Sequence, residues 1–273
     1  MKLAVCFGGS YDMYLKQAKV LDFLKKKFKQ KSKFVFFHNK SEIKIFFAIG
    51  PRKDKLRNHL ENGIKDNKEK HSPPASETVK LIKKYKPDYV LFFGIAGSIN
   101  KLKLNDIIYP TTFKEISAES KWSIHKQNLT PKIVTTINNI LGLDKIITIT
   151  TNLFFSKSGI GPGKYKHHPE RWDKIWPGIM QELKRRKINV SGEDSGKLWC
   201  MLKFHEAFLP WLRKQGDSIE MESSVFAQTF PNNLGVMLQI SDIMGRVNLN
   251  VKRKHVDWKK FNRNVIKNIL KVL

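Results

Sequence analysis

Cysteine and long apolar runs are both scarce in this sequence. Only Cys6 and Cys200 occur among 273 residues, so the chain has neither a disulfide framework nor the ligand spacing of a metal site. No apolar run approaches the ~18–20 residues that span a bilayer, and the short run at residues 2–7 fits a first strand better than a signal peptide. We therefore expect a cytoplasmic protein with no membrane contact and no metal or other cofactor.

Acidic residues and arginine are also few. The chain has 24 acidic and 51 basic residues, a formal net charge of +27, and only nine of the basic residues are arginines. Sites that hold phosphate in a fixed geometry favour arginine. A lysine excess spread along the chain indicates a basic solvated exterior rather than a nucleic-acid surface, which stays open as an alternative.

What the chain does contain is an alternation of strand and helix patterns. A continuous apolar run at residues 89–93 is typical of a strand covered on both faces, and residues 146–151 read as a further strand. Helical spacing occurs at residues 14–28, 76–85 and 258–273. The sequence predicts an α/β fold: a single domain over residues 1–273, with a mostly parallel or mixed twisted central sheet flanked by helices.

Two segments read as insertions into this domain. Residues 52–70 are charged and poor in large apolar side chains, which indicates a loop or an exposed helix. Residues 156–216 are rich in tryptophan, glycine, proline and lysine. We expect amphipathic helices near residues 172–186 and 197–214, forming a lid, an oligomer contact or a small satellite core.

The stretch from Asp217 to Asp242 reads as a strand, a helix, a turn and a buried strand. Glu222 lies at the start of the helix, and Asp242 lies just past the second strand. Ligands of open α/β sheets bind at the carboxyl ends of strands, so we expect both acids to point into one crevice. Each also has a structural interpretation: Glu222 would stabilise the helix dipole, and Asp242 would cap a helix.

Three blocks of sequence together carry a family resemblance. They are FGIAG at residues 93–97 with NDII at 105–108, IEMES at 219–223, and ISD at 240–242. In this order and strand context, the chain resembles the nucleoside phosphorylase and nucleosidase superfamily. That superfamily includes purine nucleoside phosphorylases and methylthioadenosine/S-adenosylhomocysteine nucleosidases. The two insertions fall outside the resemblance.

The resemblance implies roles for individual residues. Glu222 would bind the 2′ and 3′ hydroxyls of a ribose, since a carboxylate has two acceptor oxygens for a vicinal diol. Met221 would pack against the sugar, and Phe154 or Phe155 would stack on the base. Asp242 would protonate or hydrogen-bond N7 of a purine as a general acid. The further substrate-binding candidates in the blocks are Gly94, Ala96 and Ser241.

The residues that would orient the attacking water or bind phosphate depart from the family pattern. Nucleosidases of this family carry a Glu after the first strand to orient the attacking water, and the only carboxylate here is Asp12. Phosphorylases bind phosphate with an Arg and a Ser on the central loop, where this chain has Ile95. Hydrolysis is therefore favoured over phosphorolysis, with inorganic phosphate as an alternative co-substrate. The candidate anion site consists of Gly8, Gly9, Ser10 and Arg52.

The leading interpretation is cleavage of the N-glycosidic bond of a purine nucleoside or derivative. One alternative is a nucleoside monophosphate nucleosidase of the AMP type, with the basic charge steering the phosphate. Another is a nucleoside-binding or storage relative with weak or no turnover. The resemblance also implies a homo-oligomer, either a dimer or a hexamer.

Overall fold

The structure is a computed structural model. It describes residues 1–9, 11, 13–49, 73–118, 129–151, 155–156, 159–160, 209–243 and 256–273. The predicted insertion at residues 52–70 lies outside them. So do the helix predicted near residues 172–186 and most of the one predicted near residues 197–214.

Strands dominate the described residues. They are β1 (Lys2–Gly8), β2 (Lys29–Ser32), β3 (Val35–His38), β4 (Ser41–Ala48), β5 (Tyr89–Ser98), β6 (Ile107–Ile108), β7 (Pro110–Ala118), β8 (Leu129–Thr136), β9 (Asp144–Thr151), β10 (Phe155–Ser156), β11 (Gly159–Ile160), β12 (Ser218–Glu220) and β13 (Leu234–Ile243). The helices are a π-helical turn at Met13–Gln17, then α1 (Val20–Lys25), α2 (Ala75–Tyr85), α3 (Leu209–Arg213), α4 (Ser223–Thr229) and α5 (Trp258–Val272).

One mixed sheet organises these elements, which confirms the predicted fold class. β5 lies at its centre and runs parallel to β1 on one side and to β13 on the other, and β1 runs parallel to β4. The far half of the sheet runs the opposite way, because β12 is antiparallel to β5 while β9 and β7 run parallel to β12. The direction of the sheet therefore reverses where β5 meets β12.

Helices cover both faces of the sheet. Successive side chains of a strand point to opposite faces, so Phe93 packs on the side of α1 and α5 while Phe92 packs on the side of α2 and α4. The predicted apolar stripe of α5 is confirmed, with Phe261, Val265 and Ile269 fully buried. No helix in the described part of the chain is long and apolar enough to cross a membrane.

The single helix predicted at residues 14–28 is wrong in one respect, since it is broken into the π-helical turn and α1. Lys19 between them has a left-handed backbone with φ of 51°. The carbonyl oxygen of Ala18 accepts a hydrogen bond from the buried amide of Asn262 on α5, at 2.6 Å. A hydrogen bond from α5 therefore holds the chain where the predicted helix is broken, and helical periodicity does not reveal this long-range contact.

Candidate active site

The carboxyl end of β5 is the place where the predicted site residues converge. Gly97 pairs with Ile219 of β12 on one side and with Asp242 of β13 on the other. Neighbouring strands lie about 4.8 Å apart, so β12 and β13 face each other across β5 at about 10 Å. The IEMES block and Asp242 therefore flank the same short stretch of backbone.

The reason for this convergence differs from the prediction. β13 runs parallel to β5, but β12 runs antiparallel to it, so the two acids do not follow strands that end at one common edge. β12 has only three residues and begins level with Ser98. The chain beyond Ile219 consequently runs back along β5 towards Gly94, and this return brings Glu222 beside the end of the parallel half.

Asp242 lies inside β13 rather than past its end. A register shift between Ile240 and Asp242 leaves Ser241 as a bulge residue, after which pairing with β5 resumes. The Ser241 hydroxyl donates to Oδ1 of Asp242 at 2.6 Å and lies 3.3 Å from the carbonyl oxygen of Ala96. Because Asp242 belongs to a strand, the helix-cap interpretation is wrong; bulges commonly re-aim a side chain beside a site.

Glu222 occupies the N-cap position of α4, and its side chain is only 6% exposed. Its carboxylate makes no capping hydrogen bond. The backbone amides of Glu222 and Ser223 donate instead to Oε2 of Glu220, at 2.6 and 2.8 Å, and the amide of Ser224 donates to the Thr150 hydroxyl at 3.0 Å. Helix capping is therefore carried out by Glu220 and Thr150. Stabilisation of the helix dipole by Glu222 stays a prediction.

Glu220 is as deeply buried as Glu222. Its second oxygen, Oε1, accepts hydrogen bonds from the hydroxyls of Thr150 and Ser223. Burial raises the pKa of Glu220, and the hydrogen bonds from Thr150, Glu222 and Ser223 oppose that rise by stabilising the carboxylate. The resemblance had assigned no role to Glu220, although it belongs to the IEMES block. Thr150 lies 70 positions away, and its sequence context carried no signal.

The end of β1 lies close to Glu222. Burial raises the pKa of the Cys6 thiol, and the negative charge of Glu222 adds to the rise. The pKa of the Tyr14 hydroxyl is raised in the same way, first by burial and then by Glu222. Tyr14 is fully buried and donates to the carbonyl oxygen of Gly8 at 2.7 Å. The loop after β1, where Asp12 occurs in sequence, therefore begins next to Glu222.

In the described part of the candidate anion site, a backbone amide that was expected to face an anion is hydrogen-bonded within the protein. Gly8 lies within β1, and the amide of Gly9 donates to the carbonyl oxygen of Ala48 at 2.7 Å. Gly9 has a φ of +135°, and a Cβ there would lie 2.7 Å from the Met13 side chain. Glycine is therefore required here by the turn. Ser10, Asp12 and Arg52 lie outside the described residues.

Met221, Gly94 and Ala96 lie in or beside the same strand end. Met221 is half-buried in the turn between β12 and α4, while Gly94 and Ala96 are buried within β5, and Ile95 between them is half-buried. A Cβ on Gly94 would lie 3.0 Å from a methyl group of Leu238. Phe154 lies outside the described residues, and the backbone of Phe155 pairs with Ile160 in the β10–β11 hairpin.

Among the described residues, no three His, Cys, Asp or Glu side chains cluster closely enough to hold a metal ion. The arrangement itself offers two carboxylates of different setting at one strand end: a buried Glu222 in a turn fixed by other residues, and a partly exposed Asp242 hydrogen-bonded by its own neighbour. Such a pair is suited to holding a polar ligand at one end and exchanging a proton at the other.

Comparisons with known proteins agree with this architecture. A family model described as the phosphorylase superfamily matches residues 70–272. The native structure of futalosine hydrolase from Helicobacter pylori has 15% sequence identity and a TM-score of 0.52, over 100% of this chain and 98% of that chain. The 5′-methylthioadenosine/S-adenosyl homocysteine nucleosidase of Helicobacter pylori, in complex with a pyrrolidinol compound, has 14% identity and a TM-score of 0.52, over 100% and 99%. At these identities the likeness shows the fold. No curated protein matches the chain significantly in sequence.

Proposed function

This chain belongs to the phosphorylase superfamily, and from that premise we propose that it hydrolyses the N-glycosidic bond of a purine nucleoside or nucleoside derivative. It is an enzyme of the nucleosidase or nucleoside phosphorylase type. The observation that carries the finer proposal is the pairing of Gly97 with Ile219 on one side and Asp242 on the other. That pairing puts the IEMES block, which contains Glu222, and Asp242 on opposite sides of one strand end, and it supports the roles that we propose for these two acids.

In this proposal Glu222 accepts hydrogen bonds from the 2′ and 3′ hydroxyls of the ribose, and Met221 packs against the sugar ring. Gly94 and Ala96 are packed within the core, so in this proposal they take part only through the backbone of β5. Asp242 donates its proton to N7 of the purine, and the hydroxyl of Ser241 stabilises the carboxylate that results. A charge-assisted hydrogen bond of this kind is stronger than a neutral one.

The reaction then proceeds as a displacement at C1′. The C1′–N9 bond breaks with its electron pair moving to the purine, which leaves as a neutral base because N7 takes the proton of Asp242. Water adds to C1′ of the oxocarbenium-like sugar and gives up a proton to a carboxylate, for which Asp12 is the candidate. A positioned acid and base typically contribute 10²–10⁴-fold each to such a step.

The nature of the nucleophile and the 5′ group distinguish three versions of the proposal. Ile95 supplies no hydroxyl for a phosphate ion, which favours water over phosphorolysis. The net charge of +27 would attract a 5′-phosphate and supports the AMP-type alternative. The two structural relatives act, by their names, on futalosine and on 5′-methylthioadenosine, so both compounds belong among the trial substrates.

The test is release of free base from adenosine, inosine, 5′-methylthioadenosine, futalosine and AMP, with and without inorganic phosphate. We expect release without phosphate and a loss of about 10²–10⁴-fold in kcat for Asp242→Asn. Asp88→Asn is the matched control: Asp88 is exposed next to the opposite end of β5, where it accepts a hydrogen bond from the amide of Lys2. Its activity should equal that of the wild type.

Each result separates one version from the others. Release that requires phosphate would mean phosphorolysis, and turnover of AMP alone would favour the AMP-type nucleosidase. Nucleoside binding with no release from any compound would mean a binding or storage relative. The homo-oligomer, dimer or hexamer, stays a prediction that light scattering of the purified protein would check.

A further inference from the structure

Glu220 is a buried carboxylate that the proposed reaction does not use. Both of its oxygens are fully engaged: Oε2 accepts from the backbone amides of Glu222 and Ser223, and Oε1 accepts from the hydroxyls of Thr150 and Ser223. Thr150 in turn accepts from the amide of Ser224 at 3.0 Å. Three consecutive amides, from Glu222 to Ser224, thus point at one Glu–Thr pair.

We propose that Glu220 and Thr150 are positioning residues that fix the direction of the Glu222 carboxylate and thereby set the preference for ribose over deoxyribose. The inference rests on the proposed function, since it gives Glu222 the sugar hydroxyls to bind. Glu220 and Thr150 touch no substrate atom themselves. They act by holding the turn from which the Glu222 side chain projects.

The geometry explains why the turn needs such a device. β12 is only three residues long, so few ladder hydrogen bonds orient the chain that leaves it. The first amides of a helix have no partner within the helix, and here those of Glu222, Ser223 and Ser224 all bond to side chains from β12 and β9. A carboxylate that accepts from backbone amides forms shorter, stronger hydrogen bonds than a neutral group would. One orientation of residues 221–223 is therefore stabilised over others.

The same two strands provide a matched comparison. Two residues before the pair, the hydroxyls of Thr148 and Ser218 form a buried hydrogen bond at 2.8 Å, also 70 positions apart in sequence. That bond joins β9 to β12 just as the Glu220–Thr150 bond does, but it makes no contact with the turn. Thr148→Val and Thr150→Val each remove one buried hydroxyl from β9. Only Thr150→Val removes hydrogen bonds to Glu220 and Ser224, which hold the turn that contains Glu222.

The experiment compares kcat/KM for adenosine with that for 2′-deoxyadenosine and 3′-deoxyadenosine in the wild type, Thr148→Val and Thr150→Val. We expect Thr150→Val to lower the ratio of kcat/KM for adenosine to kcat/KM for the deoxy compounds about tenfold. That change corresponds to the loss of one to two hydrogen bonds to the sugar hydroxyls. Thr148→Val should leave that ratio unchanged, even though the free energy of unfolding falls by a similar amount in both variants.

Two more variants make the result decisive. Thr150→Ser keeps the hydroxyl and should restore the wild-type ratio. Glu220→Gln keeps the shape but replaces one acceptor oxygen with an NH₂ group facing donors, so the ratio should fall again. An equal ratio in Thr148→Val and Thr150→Val, in an active protein, would overturn the positioning role alone. Failure of the wild type to bind or to cleave any of the five trial compounds named above would overturn the proposed function and this inference together.

Discussion

Tyr14 illustrates what single side chains do around the site. Its ring lies 5.0 Å from that of Phe7, between centroids, and its hydroxyl reaches the carbonyl oxygen of Gly8 at the end of β1. Sequence periodicity marks Tyr14 only as a helical position. It does not show that the hydroxyl fixes the carbonyl from which the loop after β1 begins. Glu220 and Thr150 escaped prediction for the same reason, because a polar contact between distant residues leaves no local pattern.

Removal of this hydroxyl gives the prediction at the residue scale. Tyr14→Phe leaves the buried carbonyl of Gly8 without its donor, and we expect the free energy of unfolding to fall by about 1–3 kcal/mol. Tyr89→Phe is the control, because it removes a hydroxyl from a side chain that is exposed at the start of β5. Its loss should cost under about 0.5 kcal/mol. Urea unfolding of both variants measures the difference, and equal costs would contradict the assignment.

At the scale of elements, apolar patterns predicted most of what positions the site. The strand–helix–strand reading of residues 217–242 corresponds to β12, α4 and β13, and the helix predicted at residues 76–85 corresponds to α2. β7 and β8 were not predicted. Their sequences, PTTFKEISA and LTPKIVTT, have neither a continuous apolar run nor a regular alternation of polar and apolar residues. Such strands depend on packing against the strands with which they pair, and β7 pairs with β8 and β9.

α5 shows the limit of periodicity within a correctly predicted helix. Its apolar stripe is buried as expected, but Asn262 and Asn268 are buried with it. Asn262 donates to the carbonyl oxygen of Ala18, where the predicted first helix breaks, and Asn268 contacts the hydroxyl of Tyr109. Buried polar side chains are generally hydrogen-bonded. Here these hydrogen bonds connect α5 to elements on the same face of the sheet.

Two asparagines of α5 therefore should respond differently to substitution. Asn262→Ala leaves the Ala18 carbonyl without its partner, and we expect a loss of about 1–3 kcal/mol in the free energy of unfolding. Among the described residues, the side chain of Asn264 donates only to the carbonyl oxygen of Lys260 in its own helix, at 2.9 Å. Asn264→Ala should therefore be neutral or stabilising by about 0.5 kcal/mol through helix propensity. Chemical unfolding followed by tryptophan fluorescence compares them; an equal response would mean that the long-range bond contributes nothing.

At the scale of the whole molecule, the alternation of strand and helix patterns predicted the α/β class but not the reversal of direction between β5 and β12. Hydrophobic runs are the same for parallel and antiparallel central strands, so they do not reveal direction. The reversal matters because it, rather than a shared carboxyl edge, brings Glu222 and Asp242 to the end of β5. The identity of the two candidate acids came from the resemblance, and their arrangement came from strand pairing.

Net charge is the other property of the whole molecule that the sequence gives directly. With +27 charges, lysines on the exterior repel one another, and that repulsion destabilises the compact state. Lysines are concentrated in residues 25–33, where all six are exposed. β2, which lies in this segment, is exposed throughout. Lysine on an exposed edge strand also prevents strand addition by a second chain, which gives this segment a structural purpose that needs no nucleic acid.

Salt should accordingly stabilise the protein. Raising sodium chloride from about 20 mM to about 200 mM shortens the Debye length to below about 10 Å, and we expect the melting temperature to rise by about 2–4 °C. The double variant Lys27→Gln/Lys29→Gln should be more stable at low salt and gain less from added salt. Lys27→Arg/Lys29→Arg keeps the charge and should behave as the wild type. If the glutamine variant gained as much as the arginine variant, repulsion within this segment would not be a source of the salt dependence.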